Sequence, residues 1–335
     1  MSAQGKASIR LEQGAYIQMT ASIVGKKEGE GPLGAGFDEV EQDAFFGKEN
    51  WEQAESELQK RVVELMLKKA GVDRRRVRYL FAGDLLGQLI ATSFGVGGFG
   101  IPLVGLYGAC STMGESLALG AMTVNAGYAD QVLCLTSSHY ASAEKEFRFP
   151  LDYGNQRPES TTWTVTGAGA ALVGNTPTNV RIAGVTIGKI VDYGVKDVMN
   201  MGAAMAPAAA ATISRNLLDF GVNADYYDRI ITGDLGKVGR EALIELLRQK
   251  QIDISERHLD CGIEIFAADE QDTHAGGSGC GCSAAVFCSE VYNRIRSGEW
   301  KRVLFVPTGA LLSKTSSQEG AAIPGIAHAV ALEYV

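Results

Sequence analysis

The sequence predicts an α/β fold built from two similar halves, residues 1–175 and 176–335, and three observations carry that prediction. Short apolar runs alternate with helical patterns along the whole chain, as in layered arrangements of helices and sheet. The same succession of elements occurs twice. A glycine-flanked cysteine, Cys110, lies between an apolar run at 101–106 and a helix of small residues, where α/β folds gather their chemistry.

Residues 8–24 read as an opening strand region. Residues 55–70 form an amphipathic helix, with Leu58, Val62, Leu65 and Leu67 broadly on one side and Gly71 as its stop. A buried strand over 77–82 ends at Gly83-Asp84. A helix over 111–126 is closed by Gly127, and a strand follows over 131–137. The second half opens with a strand region at 180–191, then a helix over 208–220 and a strand over 227–232 ending at Gly233-Asp234. A helix over 283–297 stops at Gly298, and a strand over 302–307 follows. One offset carries Gly108, Gly127, Val132 and Leu133 onto Gly279, Gly298, Val303 and Leu304. A second offset carries Gly83-Asp84-Leu85 onto Gly233-Asp234-Leu235. Paired blocks of this kind indicate duplication. The change of offset places an insertion in the second half, around 252–273.

Bulk properties narrow the function classes. A net charge of −8 argues against a nucleic-acid binder, which needs a basic face. The one basic run, Arg74-Arg75-Arg76-Val77-Arg78, reads as a solvated connection between helix and strand, with partner or lipid contact as the alternative. No apolar stretch approaches the ~18 residues needed to span a bilayer. The run from 203 to 213 is alanine-rich and interrupted by Pro207, which suits a buried helix better. The first residues lack a basic and then apolar signal pattern, so folding in a reducing cytosol is expected, with the six cysteines as free thiols. Cys280-Gly281-Cys282 would need two further ligands to hold zinc, and no metal or cofactor is expected.

The helix dipole and unpaired N–H groups at a helix start lower the pKa of a cysteine placed there. The same N–H groups can seat a carboxylate. Position alone therefore leaves Cys110 open as nucleophile, as part of an anion seat or as a plain core residue. Ser137, Ser138 and His139 lie at a strand end beside it, and His274 sits in a glycine-rich segment. His258 and His328 have no supporting context.

Three segments resemble the thiolase and ketoacyl-synthase superfamily: Ala70-Gly71-Val72-Asp73, Gly108-Ala109-Cys110-Ser111, and Thr166-Gly167-Ala168-Gly169-Ala170-Ala171, whose threonine stands where an aspartate is common. The stretches 107–115, Ser137-Ser138-His139-Tyr140, Glu146-Phe147-Arg148-Phe149-Pro150 and Gly154-Asn155-Gln156-Arg157-Pro158 narrow the likeness to the stage V sporulation protein AD family. That resemblance implies a thiolase-like fold of two pseudo-symmetric halves in five layers, α-β-α-β-α. It implies binding of dipicolinic acid (pyridine-2,6-dicarboxylate), or its Ca2+ chelate, for uptake into the developing spore. It further implies work with other stage V sporulation membrane proteins (the SpoVA complex), a peripheral place on the spore inner membrane, and a homodimer.

The chain departs from the catalytic relatives at two places. Where ketoacyl synthases carry a His-x-Ala-Asn turn, this chain has Gly233-Asp234-Leu235-Gly236. Where they carry Asn in Gly-Asn-Thr-Ser-Ala-Ala, it has Gly281 in Cys280-Gly281-Cys282-Ser283-Ala284-Ala285. Without those donors the oxyanion loses ~3 kcal/mol or more of stabilisation per group. A binding protein is expected, with a degenerate acyl-CoA-dependent acyltransferase using Cys110, and His139 or His274 as base, as the alternative. The expected ligand contacts are Cys110, Ser111, Thr112, Asp84, Ser137, Ser138, His139 and Arg148. Lys145 and Arg157 are further cations, Tyr140 or Trp163 could cover the ring, and Asp84 and Asp152 would suit accompanying calcium.

Overall fold

The computed structural model describes residues 2–147 and 156–335. Ten strands follow one another across the main sheet. In chain order they are β1 (Ser8–Gly25), β2 (Leu80–Gly83), β3 (Leu103–Gly105), β4 (Gln131–Ser138) and β5 (Gly167–Gly174). They continue as β6 (Val180–Thr186), β7 (Arg229–Thr232), β8 (His258–Asp260), β9 (Arg302–Val306) and β10 (Ala329–Tyr334). Two short strands, Ser2–Gln4 and Glu39–Glu41, flank β1.

The spatial order is β8-β7-β9-β10-β6-β1-β5-β4-β2-β3. Read outward from the middle, β1-β5-β4-β2-β3 in one direction repeats as β6-β10-β9-β7-β8 in the other. The pairing sense repeats too. In each set the first two pairings are antiparallel and the last two parallel. The segment 252–273 contains β8, the counterpart of β3. The extra length therefore lies in two places: a longer helix before β8, and the stretch between β8 and Cys280.

Side-chain alternation along the strands builds the layers. In β4, Val132 and Cys134 face one core while Leu133 and Leu135 face another. In β9, Val303 and Phe305 join Val132 in the central core, and Leu304 and Val306 turn to the far side. Helix α1 (Trp51–Ala70) covers one outer face with Leu58, Val62 and Met66. Helices α4 (Met201–Phe220) and α5 (Gly236–Arg248) cover the other. Between the two sets of strands run α2 (Thr112–Asn125) and α6 (Cys280–Val286). The result is the thiolase-like five-layer arrangement. A further helix, α3 (Tyr140–Phe147), follows β4.

Capping explains where helices start earlier than the apolar pattern suggests. Asn50 accepts from Gln53 N at 2.9 Å and Asn200 from Ala203 N at 3.3 Å, so α1 begins at Trp51 and α4 at Met201. Pro207 sits inside α4 without ending it. The last central helix begins at Cys280 and passes through a π-helical turn, Phe287–Val291, before ending at Arg296. No helix among the described residues is long and apolar enough to cross a membrane.

Candidate ligand-binding cavity

β3 leads into a 3-10 turn, Ala109–Ser111, and then into α2. Ala109 holds φ 50°, a left-handed conformation uncommon for a residue with a Cβ. The strand Thr308–Ala310 presses on this turn. A Cβ on Gly309 would lie 2.5 Å from the Gly108 carbonyl oxygen and 3.0 Å from Ser111 N, so only glycine fits there. The turn consumes its own donors. Ser111 N donates to the Gly108 carbonyl at 3.1 Å and Thr112 N to that of Ala109. The Ser111 and Thr112 hydroxyls donate to the same two carbonyls, each at 2.6 Å. Ser111 and Thr112, expected to meet a ligand, are thus spent inside the turn.

A cavity of about 260 Å³ opens on Cys110. Leu85, Cys110 and Ala143 line its base and cluster with the buried Cys280 behind them, and Phe147 packs against the group. Tyr107, Met201, Leu311 and Leu312 supply apolar wall, and Thr164, Ser278, Ser313 and Ser316 supply hydroxyls. Among the described residues the lining holds one acid, Glu144, and no lysine or arginine.

Cys110 is only 6% exposed. Burial pushes its thiol well above the ordinary range, and the charge of Asp234 adds to the effect. The lowering expected from the helix end is therefore overridden by desolvation. Asp234 faces the Cys110 thiol from the end of β7. Its carboxylate accepts from Gly279 N at 3.0 Å, Thr308 Oγ1 at 2.9 Å and Ser278 Oγ at 3.4 Å. Burial raises the Asp234 carboxyl to about 7.

The position that answers to the asparagine of the ketoacyl-synthase pattern is closed. A Cβ on Gly281 would lie 2.3 Å from the Gly167 carbonyl oxygen and 2.7 Å from Ser138 N, both backbone atoms. The asparagine of the catalytic relatives has no room there. None of the four histidines lines the cavity. His139 is buried, held neutral by desolvation, and its Nε2 donates to the Ala44 carbonyl at 2.8 Å while Trp51 and Phe46 pack around the ring. His274 spans the Pro158 carbonyl at 2.9 Å and Asp272 at 3.0 Å. His258 pairs with Thr232 at 2.9 Å, and His328 accepts from Gly188 N at 3.3 Å.

Most of the remaining expected contacts serve the fold. The Asp84 carboxylate accepts from Leu86 N at 2.8 Å and from Thr92 N and Oγ1 at 2.7 and 2.5 Å. Ser137 donates to Glu55 at 2.9 Å. Ser138 donates to the Val165 carbonyl at 2.7 Å and accepts from Gly281 N at 3.1 Å. Lys145 pairs with Glu52 at 2.5 Å, and Arg157 pairs with Asp272. Tyr140 and Trp163 stack on each other at 4.0 Å. Arg148 and Asp152 lie outside the described residues. Cys280 and Cys282 donate to the Ser137 and Gly233 carbonyls, and no cluster of metal-ligating side chains exists among the described residues.

Of the residues expected to meet ligand, the structure thus brings Cys110 to the cavity and turns Ser111, Thr112, Asp84, Ser137, Ser138 and His139 away from its lining. Sequence reasoning missed Tyr107 and Phe147 as the aromatic walls, although both stand in the motif stretches. It also missed the segment 310–316, whose apolar residues carry no chemical signal.

A sequence model of the stage V sporulation protein AD family matches residues 5–333. Stage V sporulation protein AD of Bacillus subtilis (strain 168) is 40% identical over 333 residues, covering 99% of this chain and 98% of that protein. Among solved structures, Acat5 thiolase from Ascaris suum in complex with coenzyme A matches with a TM-score of 0.60 at 12% identity, covering 96% of this chain and 100% of that one. Human mitochondrial 3-ketoacyl-CoA thiolase in complex with CoA matches at 0.59 and 13%, covering 98% and 99%. The 3-oxoacyl-[acyl-carrier-protein] synthase III of Aquifex aeolicus VF5 matches at 0.57 and 14%, covering 96% and 100%. At such identities these structures establish the fold alone.

Proposed function

We propose that this chain, which belongs to the stage V sporulation protein AD family, is a non-catalytic binder of dipicolinic acid, with its site in the cavity over Cys110. The observation that carries the reading is the closure at Gly281. The fold keeps the cavity and the cysteine, yet has no space for the second donor an acyl transfer needs. The apolar character of the described lining favours the calcium chelate over the bare dianion, because two bare carboxylates would be costly to desolvate there. A chelate arrives neutral.

Calorimetry with dipicolinate, with and without equimolar Ca2+ and with benzoate as control, tests this. Saturable binding strengthened by Ca2+ supports it, and no heat under any condition overturns it. Uptake into the spore, a membrane-peripheral place beside other stage V sporulation proteins, and a homodimer belong to the same proposal. Exposed Leu103 and Val104 on the edge strand β3 support the dimer, and a monomer by light scattering at micromolar concentration would reject it.

One observation favours a second reading. Asp234 faces the thiol, which places a carboxylate where a residual acyltransferase would need a proton acceptor for Cys110. Mass spectrometry after incubation with acetyl-CoA separates the two. A stable adduct on Cys110, lost in Cys110→Ala, establishes the second.

A further inference from the structure

Glu55 is fully buried on α1, and neither the ligand site nor any catalytic scheme uses it. Its Oε1 accepts from Ser137 Oγ at 2.9 Å and its Oε2 from Ser142 Oγ at 2.6 Å. Ser142 lies on α3 beside Ala143 and Glu144, which form one wall of the cavity. Ser137 also accepts from Gln59 Nε2 at 2.9 Å, and that amide reaches Thr92 Oγ1 at 3.0 Å and the Gly83 carbonyl at 3.2 Å. Thr92 in turn donates to Asp84, whose other oxygen accepts from Leu86 N and fixes the turn carrying Leu85. Leu85 and Ala143 both line the cavity and pack in one cluster with Cys110 and Cys280. A single hydrogen-bonded chain thus joins the two walls, and Glu55 is the group on which its two branches meet.

We propose that Glu55 is a positioning residue that sets the spacing of the cavity walls beside Cys110. The inference rests on the ligand reading above for its purpose, but it can be measured on the cysteine without any ligand. The ionisable groups facing Glu55 are Asp84 across the network, Glu52 on its own helix, and Cys280 from α6. Burial first, and the nearby Asp84 second, push Glu55 up to about 8, so below that pH the pair of acids keeps a proton. Above it, two adjacent charges repel and the walls part.

The test compares Glu55→Gln, which keeps an acceptor oxygen and no charge, with Glu55→Ala, which keeps neither. Site-resolved mass spectrometry reads the alkylation rate of Cys110 by iodoacetamide at one fixed pH, and calorimetry reads dipicolinate affinity. In Glu55→Ala, alkylation rises about fivefold and affinity falls about tenfold, while Glu55→Gln stays within about threefold of wild type at pH 6.5. Wild-type affinity weakens as pH rises through about 8, and Glu55→Gln removes that slope. Equal alkylation of wild type and Glu55→Ala, or an unchanged pH profile in Glu55→Gln, overturns the proposal. If Glu55→Ala does not fold, Ser142→Ala, which cuts one branch, replaces it. If wild type binds no dipicolinate, the ligand reading falls, and the alkylation comparison still decides the role of Glu55.

Discussion

The turn before α2 and the turn before α6 occupy equivalent places in the two halves, and only one of them opens on space. At the first, Cys110 borders a cavity. At the second, Cys280 is fully buried with its thiol on the Ser137 carbonyl, and Gly281 packs its backbone on that of Gly167 and Ser138. A duplicated fold has therefore kept access at one helix start and filled the other with main chain. On the proposed reading, the missing acyl-transfer donor is a matter of packing as well as of residue identity, and an asparagine placed at Gly281 would find no room.

That contrast can be broken most directly at Gly281. Gly281→Asn should lower unfolding stability by about 3 kcal/mol or more in urea, because backbone atoms on two strands must move. A stable, well-folded variant would show that the second turn is not sealed. Filling the open turn should instead spare the fold and abolish function. Cys110→Phe should weaken dipicolinate about a hundredfold in calorimetry, with far less change in urea midpoint. Full binding by that variant would move the site elsewhere.

A subtler separation comes from Asp234. Its folded pKa of about 7 lies above the ordinary 3.8, so the protonated form is the one that folding favours. The stability it contributes is complete below pH 3.8 and lost progressively as pH rises through 7. Asp234→Asn should flatten this part of the curve of urea midpoint against pH, and an unaltered curve would place its titration outside this window. The smallest effect is expected at the sealed cysteine. Cys280→Ala should cost about 1 kcal/mol of stability and leave dipicolinate affinity within about twofold. A large loss of affinity would mean that the closed turn contributes to the ligand after all.

The contrast also shows what could be read from the residues alone. Period and duplication gave the strands at 8–24, 77–82, 131–137, 180–191, 227–232 and 302–307, because buried strands and their glycine stops are local signals, but not β8, β10 or the order across the sheet. Helix starts were misplaced where an asparagine cap preceded weakly apolar residues, as at Asn50 and Asn200. Cys110 was legible from its glycine-flanked turn. Asp84, Ser137, Ser138 and His139 were legible as residues at strand ends, but not in their use. A polar group buried at a strand end must find partners inside the protein, and only coordinates reveal whether any capacity remains for a ligand. Leu311, Leu312 and Met201 were illegible because their role arises from chain segments brought together over long separations.

The antiparallel seam between β1 and β6 ties the two halves together through main-chain bonds from Ser8 to Tyr16. A molecule stitched along its midline cannot gape like a clamshell. On the proposed reading, a ligand would enter and leave over Cys110 at a pace set by the residues around that opening rather than by any swing of one half against the other.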